Sequence, residues 1–287
     1  MTDAHAGSVE RPNNHVSTFP YPGGKGRGSD WILEKVPEHR CFVEVFGGSA
    51  ALTYNKPPSQ NEVYNDVNDD LVQFFETLRE RTDELTEWVK NVPYSRSLYD
   101  DWVADYFDGV RPDDPIRRAG RFWTLRYMQF AGDISSPNGF KTRAKKSPAR
   151  TFDNARHRLN VLADRFHDVI IENKDYTAIL EDYDQEAVLF YMDPPYVDAE
   201  HYYDCEFNHD DFVDVLHDVE ADWMVSYETL PDGLDDFHIV ERTRRHRMCR
   251  GTSDATERLV CNFDPSERER FVRVGLSQTT LGGGERR

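Results

Sequence analysis

Val188-Leu189-Phe190-Tyr191-Met192 is an unbroken apolar run, and Asp193-Pro194-Pro195-Tyr196 follows it directly. A run of this length predicts a strand buried on both faces, which is typical of a parallel sheet covered by helices. Because helical patterns alternate with such runs along the chain, we expect an α/β fold with a mostly parallel sheet. The other runs of this kind are residues 40–46, 62–64, 169–171 and 223–227.

Helical spacing of apolar residues is clearest at residues 69–90, where it predicts one helix, and after Asn208, which suits an N-cap. Residues 238–244 and 258–263 are expected to close the sheet as a hairpin. The segment 91–164 differs, with five prolines, a helical stretch at 116–130 and a Gly/Ser/Asn-rich loop at 132–139. We interpret it as an inserted, mainly helical subdomain. The predicted divisions are 1–16 (disordered), 17–90, 91–164 (inserted), 165–275 and 276–287 (disordered).

The composition limits the classes of protein. The net charge is −18, and only 8 of the 35 basic residues are lysine, which favours adaptation to high salt over an ordinary acidic cytosolic protein. A negative field should repel DNA, so a nucleic-acid surface would have to be locally basic. No apolar run approaches the ~20 residues of a membrane span. The four cysteines are scattered, so we expect a reduced, cytoplasmic protein.

Glycine or aspartate follows four of the predicted strands, at Gly47-Gly48, Asp66, Asp175 and Asp193. Parallel sheets bind ligands at the carboxyl ends of their strands, so these residues are expected around one crevice. Asp66 lies 19 residues after Gly47, a spacing at which an acid can hold ribose hydroxyls. By itself, Gly47-Gly48 fits a tight turn equally well.

The tetrapeptide at 193–196 suits chemistry on an aromatic amine. An adenine amino group is a poor nucleophile because its lone pair is delocalised into the ring. A carboxylate and a backbone carbonyl that accept hydrogen bonds from its two N–H groups would draw the nitrogen toward tetrahedral geometry. Proline stiffens the loop that presents the carbonyl, and Tyr196 can stack on the base. The alternative is a Pro-Pro turn that ends a strand, with Asp193 as a cap.

Five motifs and two weaker matches, all in order, resemble those of the Dam-type (D12 class) DNA adenine-N6 methyltransferase family. Each is short, but their order and spacing together are specific over most of residues 19–264. They are Tyr21-Pro22-Gly23-Gly24-Lys25, the loop Phe42-Val43-Glu44-Val45-Phe46-Gly47-Gly48-Ser49-Ala50, Tyr64-Asn65-Asp66-Val67-Asn68-Asp69-Asp70-Leu71, Asp175-Tyr176, Asp193-Pro194-Pro195-Tyr196, and weaker matches at 202–207 and Ser226-Tyr227.

The resemblance implies a Rossmann-like sheet that binds S-adenosylmethionine (SAM) and an inserted subdomain that recognises DNA. It implies catalytic roles for Asp193, Pro194 and Tyr196 on a flipped-out adenine. It places Asp66 at the ribose and Asp175 at the adenine end of SAM, and Ala50 departs from a glycine common there. The implied cofactor-binding residues are Tyr21, Lys25, Glu44, Phe46, Gly47, Gly48, Asp66, Asp175 and Asp193. For Lys25 the alternative is a solvated loop cation.

Two other functions remain as alternatives. One is methyl transfer to another amine, in RNA adenine, cytosine N4 or a glutamine side chain, but relatives of that kind usually begin the tetrapeptide with serine or asparagine. The other is a non-catalytic DNA-binding relative, against which the intact Asp193 and Tyr196 argue. The chain contains no Pro-Cys dipeptide, which excludes thiolate-dependent cytosine-C5 chemistry.

Positive charge is concentrated between Arg111 and Arg158, a stretch that contains 12 basic residues and only 4 aspartates. We expect double-stranded DNA to bind there; the alternative is a helix with core aromatics and solvated arginines. We expect a monomer. We also expect no metal, since His201, Cys205 and His209 supply only three of the four ligands that a structural zinc site needs. A cognate restriction endonuclease is left open as a partner. The predicted DNA-binding residues are Arg117, Arg118, Arg121, Arg126, Lys141, Arg143, Lys145 and Lys146.

Overall fold

A computed structural model describes residues 18–21, 23–25, 28–130, 136–143, 146–195, 207–248 and 251–271. For 244–248 and 251–255 it describes the backbone only. The two segments that the sequence predicts to be disordered, 1–16 and 276–287, lie outside these ranges, as do Lys145, Tyr196, His201 and Cys205.

The centre of the fold is a seven-stranded sheet with the order β3-β2-β1-β4-β5-β7-β6. Strands β1 to β5 are parallel, and β7 runs antiparallel to both β5 and β6. The five apolar runs and the closing hairpin are thus confirmed. The strands are β1 Cys41–Glu44, β2 Asn61–Asn65, β3 Val169–Glu172, β4 Val188–Met192, β5 Asp222–Tyr227, β6 His238–Met248 and β7 Gly251–Cys261.

The strand order reverses between β1 and β4, since the chain passes from β1 outward to β2 and β3 and then returns to β4. Val43 of β1 lies between Val63 of β2 and Phe190 of β4. At such a switch point the loops after the two central strands diverge and leave a crevice. This topology confirms the predicted Rossmann-like α/β fold.

Ten helices are described. The stretch 69–90, predicted as one helix, is two helices separated at Arg81, whose φ of −131° and ψ of 41° leave the helical region. The hydroxyl of Thr82 donates to the carbonyl of Leu78 at 2.6 Å and satisfies a backbone group at the break. The helices are α1 Ser29–Leu33, α2 Ala51–Asn55, α3 Asp69–Glu80, α4 Thr82–Lys90, α5 Arg96–Phe107, α6 Pro115–Met128, α7 Pro148–Arg156, α8 Leu159–Phe166, α9 Tyr176–Tyr183 and α10 His209–Asp218.

The predicted helix after Asn208 is confirmed as α10. The Asn208 side chain accepts hydrogen bonds from the backbone N–H groups of Asp210 and Asp211, at 3.0 and 3.3 Å. Such a cap satisfies two of the four donors that every helix start leaves open. Helices α9 and α10 contribute to the hydrophobic cluster on one face of the sheet, and α1 packs on the other.

Helices α3 to α8 share one large hydrophobic cluster. It contains Phe74 and Phe75 of α3, Trp123 of α6 and Phe166 of α8, all with at most 2% exposure. The aromatics of the helix predicted at 116–130 are therefore mostly core, as the alternative interpretation had it. Residues on both sides of position 91 contribute to this one core. The boundaries of the inserted subdomain remain predictions.

Gly120 offers a test of this shared core. A Cβ atom added there would lie 2.3 Å from Cε3 of Trp88, on the neighbouring helix α4. We expect Gly120→Ala to destabilise the fold by about 1–3 kcal/mol, because overpacking outweighs the gain in helix propensity. Urea unfolding measures the effect. In Gly139→Ala, where nothing lies within 4 Å of the new Cβ, the midpoint should barely move; equal midpoints for both variants would contradict the close packing of α4 and α6.

Candidate active site

A cavity of about 530 Å³ opens where the strand order reverses. The glycine turn after β1, Asp66 after β2, Asp175 after β3 and Asp193 after β4 all line it. The structure therefore brings together the four strand-end motifs that the sequence predicts around one crevice. All nine residues expected to bind cofactor line this cavity: Tyr21, Lys25, Glu44, Phe46, Gly47, Gly48, Asp66, Asp175 and Asp193. Their roles in binding remain predictions.

The turn after β1 needs glycine because of an aromatic ring beneath it. A Cβ atom on Gly47 would lie 2.1 Å from Cε2 of the buried Tyr64. The Tyr64 hydroxyl donates to the Gly48 carbonyl at 2.8 Å and holds the turn on the ring. Ala50, where the family often has glycine, has a φ of 54°, a left-handed conformation that costs a non-glycine residue about 1–2 kcal/mol.

Asp66 ties the end of β2 to this turn. Its two carboxylate oxygens accept the backbone N–H groups of Gly48, at 2.8 Å, and Asn68, at 2.9 Å. Burial nevertheless raises the pKa of Asp66 to about 6, because desolvation outweighs both hydrogen bonds. Asp66 is thus a partly buried acceptor in the wall of the cavity.

Glu44, the last residue of β1, caps helix α2. Its carboxylate accepts hydrogen bonds from the backbone N–H groups of Leu52, at 3.2 Å, and Thr53, at 3.1 Å. Burial raises the pKa of Glu44 to about 7, and the negative charge of Asp193 adds to the shift. Glu44 therefore lines the cavity while it also stabilises the helix that follows the glycine turn.

Asp193 and Lys25 form an ion pair at the cavity wall. The Lys25 ammonium lies 3.1 Å from Oδ1 of Asp193 and 3.3 Å from Oε1 of Glu257, a residue of β7. Lys25 is only 5% exposed, so it is not the solvated loop cation of the alternative interpretation. Asp193 keeps 18% exposure and can contact a ligand in the cavity.

Neighbours of Asp193 extend the candidate catalytic loop. Pro194 and Pro195 are buried, and Pro195 lines the cavity. Tyr196 lies outside the described residues, so its stacking role stays a prediction. The later motif Ser226-Tyr227 is buried at the end of β5, where the Ser226 hydroxyl lies 2.9 Å from that of Tyr191.

Asp175 is the N-cap of α9 and accepts the backbone N–H of Thr177 at 3.0 Å. Next to it, the rings of Phe46, Tyr176 and Phe207 pack together, with centroids 5.5–5.8 Å apart. All three rings line the cavity. They form an apolar wall beside the acidic residues that also line it. Tyr176 and Phe207 both belong to motifs of the sequence, but neither was predicted to take part in the site.

Tyr106 and Glu257 are missing from the predicted site. Tyr106 belongs to α5 in the helical layer and still reaches the cavity wall. Glu257 contacts Lys25 only because the hairpin of β6 and β7 lies next to β5. Neither residue carried a local signal, since both reach the site through packing between distant segments.

The predicted DNA-binding residues fall into two groups. On α6, the Arg118 guanidinium donates to Asp69 and Asp70, and Arg121 donates to Asp105 at 3.0 Å. Arg126 is buried, with its guanidinium 4.6 Å from the ring centroid of Phe122. Folding therefore pairs Arg118 and Arg121 with acids of α3 and α5, which are distant in the sequence.

The second group is presented to solvent. Arg143 and Lys146 are exposed, as is Arg117 at the start of α6. Lys141 is half-buried, and burial lowers its pKa below the ordinary lysine value. Lys145 lies outside the described residues. Of the eight predicted residues, Arg117, Arg143 and Lys146 are the described ones most open to a partner.

Among the described residues, no group of three or more His, Cys, Asp or Glu side chains could hold a metal ion. No helix in the same part of the chain is long and apolar enough to cross a membrane.

Comparison with known proteins was made for the whole chain. Over 183 residues it is 25% identical to the Type II methyltransferase M.CviBI of Paramecium bursaria Chlorella virus NC1A, covering 61% of this chain and 67% of that protein. Over 191 residues it is 26% identical to the DNA adenine methylase of Salmonella typhi, covering 61% and 63%. The DNA adenine methylase of Haemophilus influenzae is 24% identical over 197 residues, with 66% of each chain covered. The matches thus span about two thirds of the length of these relatives.

A family model matches most of the chain. The model for D12 class N6 adenine-specific DNA methyltransferase matches residues 21–244, which include the opening motif at Tyr21, the glycine turn and the Asp193 tetrapeptide. This range contains every strand-end motif that lines the cavity. The chain therefore belongs to the D12 class of N6 adenine-specific DNA methyltransferases.

Proposed function

We propose that this protein transfers a methyl group from SAM to N6 of a flipped-out adenine at a specific site in double-stranded DNA. The observation that carries the proposal is the position of Asp193. Its carboxylate lies at the end of a central strand, faces a cavity lined by the glycine turn and Asp66, and is paired with the buried Lys25. Membership of the family supports adenine N6 as the acceptor.

The cavity suits a nucleoside-containing cofactor. Its volume of about 530 Å³ lies within the usual range of small-molecule sites. Asp66 is an acceptor for ribose hydroxyls, and Asp175 with the rings of Phe46 and Tyr176 would hold the adenine end. SAM, when bound, supplies an electrophilic methyl group on a sulfonium.

The protein's own groups would act on the amine. The Asp193 carboxylate and the backbone carbonyl of Pro194 would accept hydrogen bonds from the two N–H groups of the target amine, which frees its lone pair for direct in-line transfer. The new N–C bond forms as the methyl–sulfur bond breaks with its electrons left on sulfur, and the methylated amine then loses one N–H proton to water. No covalent intermediate is needed, and among the described residues no cysteine lines the cavity. Asp193 is a suitable acceptor because Lys25 supports its negative charge.

The remaining features of the proposal concern partners and setting. Exposed basic side chains at Arg117, Arg143 and Lys146 would contact DNA phosphates, with Lys145 as a further candidate. We propose that the protein acts as a monomer, with or without a cognate restriction endonuclease. The acidic, lysine-poor composition supports adaptation to high salt.

Replacement of Asp193 tests the chemistry. We expect Asp193→Asn to lower methyl transfer by about 10²–10³-fold, since it removes a charged acceptor for the reacting amine. Transfer of labelled methyl from SAM to mixed genomic DNA gives the rate, and mapping of modified bases identifies the product as N6-methyladenine. Asp214→Asn, at an exposed position of α10, is the matched control and should keep the wild-type rate. A product methylated on cytosine, or a fully active Asp193→Asn protein, would contradict the proposal.

Cofactor binding should depend on the titration of Asp66. An ionised carboxylate accepts hydroxyl donors more strongly than a protonated one, so SAM affinity should fall as the pH drops through about 6, the raised pKa of Asp66. Asp66→Asn should remove this dependence and weaken binding by about 1–3 kcal/mol. Calorimetry across pH 5–8 measures both effects.

Glu44 provides the control for this titration, because its pKa is raised to about 7 in the same cavity. The pH dependence that belongs to Asp66 is the part that disappears in Asp66→Asn and persists in Glu44→Gln. An unchanged profile in a folded Asp66→Asn protein would remove Asp66 from the cofactor site.

Contacts with DNA phosphates should be visible in the salt dependence of affinity. We expect Arg143→Ala combined with Lys146→Ala to weaken DNA binding and to flatten the log–log salt slope by about 0.9 for each lost phosphate contact. SAM affinity should not change. The control is Arg268→Gln. Arg268 pairs with Asp222, the first residue of β5, at the end of the strand opposite to the one that faces the cavity. If the double variant and the control have the same slope and affinity, these side chains do not touch DNA.

A further inference from the structure

A row of four buried or partly buried charges of alternating sign runs from the cavity to the terminal hairpin. Lys25 bridges Asp193 and Glu257, with N–O distances of 3.1 and 3.3 Å. Arg242 donates from Nε to Oε2 of Glu257 at 2.8 Å. Each Glu257 oxygen therefore faces one cation, Lys25 on one side and Arg242 on the other.

The hairpin holds the outer half of this row rigidly. Arg242 of β6 and Glu257 of β7 are direct partners in the antiparallel register. The Arg242 guanidinium also lies over the ring of Trp31, 4.5 Å from its centroid. Trp31 belongs to α1, which begins at Ser29, so Arg242 joins the hairpin to the helix that follows Lys25 in the chain.

Stability alone does not account for such an arrangement. The desolvation of buried ions is costly, and apolar residues of similar volume often stabilise a core as well or better. Lys25 and the Glu257 side chain are each only 5% exposed, so this cost applies to both. The inner end of the row is Asp193, at the cavity wall, where the orientation of a carboxylate affects chemistry.

We propose that Glu257 and Arg242 are positioning residues for methyl transfer. They hold the Lys25 ammonium against Oδ1 of Asp193 and so fix the orientation of that carboxylate toward the target amine. Neither residue is among the described residues that line the cavity, so both act through Lys25. The inference rests on the proposed function, in which Asp193 contacts the reacting amine.

A double-mutant cycle tests the path through Lys25. The four proteins are wild type, Glu257→Gln, Lys25→Met and the double variant, each compared in single-turnover transfer from saturating SAM to mixed plasmid DNA. We expect Glu257→Gln to slow transfer about 10- to 100-fold, the scale for a misoriented group in an active site. In the Lys25→Met background the same change should slow transfer less than about threefold.

Separate readouts distinguish positioning from general damage to the fold. In Glu257→Gln, SAM affinity measured by calorimetry should stay within about threefold of wild type while the transfer rate falls. Arg242→Lys keeps the cation and should retain more of the rate than Arg242→Gln. The matched control is Glu241→Gln, which removes a carboxylate next to Arg242 on β6 whose partner is Arg258, in an exposed pair; it should be fully active.

The outcomes separate this inference from the function on which it rests. Equal fractional losses from Glu257→Gln with and without Lys25 would overturn the positioning role, even if the wild-type protein is an active methyltransferase. A loss of rate that follows SAM affinity or the folded fraction would overturn it as well. Absence of methyl transfer by the wild-type protein would overturn the proposed function, and the positioning role with it.

Discussion

An ammonium group removed from water must be surrounded by acceptors or it loses its charge. Lys25 meets this requirement with two carboxylates, Asp193 directly after β4 and Glu257 on β7. These three residues lie far apart in the chain, so the pairing joins the opening segment, the central strand and the closing hairpin. The cavity wall depends on this pairing, because both Lys25 and Asp193 contribute to it.

The sheet topology brings Lys25, Asp193 and Glu257 into contact. The reversal of strand order between β1 and β4 opens the crevice, and the antiparallel insertion of β7 beside β5 brings a carboxylate to the edge where the parallel strands end. The glycine turn then lies directly on the Tyr64 ring, and Asp66 joins that turn to β2. Acidic groups at the ends of neighbouring strands thus share one cavity, and burial raises the pKa of both Asp66 and Glu44.

In the helical layer, less deeply buried charges are also paired with groups of opposite sign. Asp70 accepts hydrogen bonds from Arg111 and Arg118, both at 2.8 Å, so part of the basic segment serves to hold α6 on α3. The exposed cations Arg143 and Lys146 form no ion pair with a described residue, and they lie on the stretch that leads into α7. A basic segment in an acidic chain can therefore have a structural half and a half that is open to an anionic partner.

The sequence by itself determined the strands and the identity of the strand-end motifs, because these are local: apolar runs, a glycine turn, aspartates directly after β2 and β4, and an aspartate three residues after β3. It also predicted α10 and its Asn208 cap. It did not predict the break at Arg81, since the apolar spacing continues through 69–90 and only packing against neighbouring helices distinguishes two helices from one.

Only the tertiary structure decided which charges are paired. Local sequence around α6 shows a surplus of arginines, but Asp69 and Asp70 come from a helix some 50 residues earlier in the chain and neutralise Arg118. Glu257 likewise meets Lys25 through the register of a hairpin more than 200 residues away. Electrostatic pairing depends on distance in space, and the sequence contains the charges but not the distances between them.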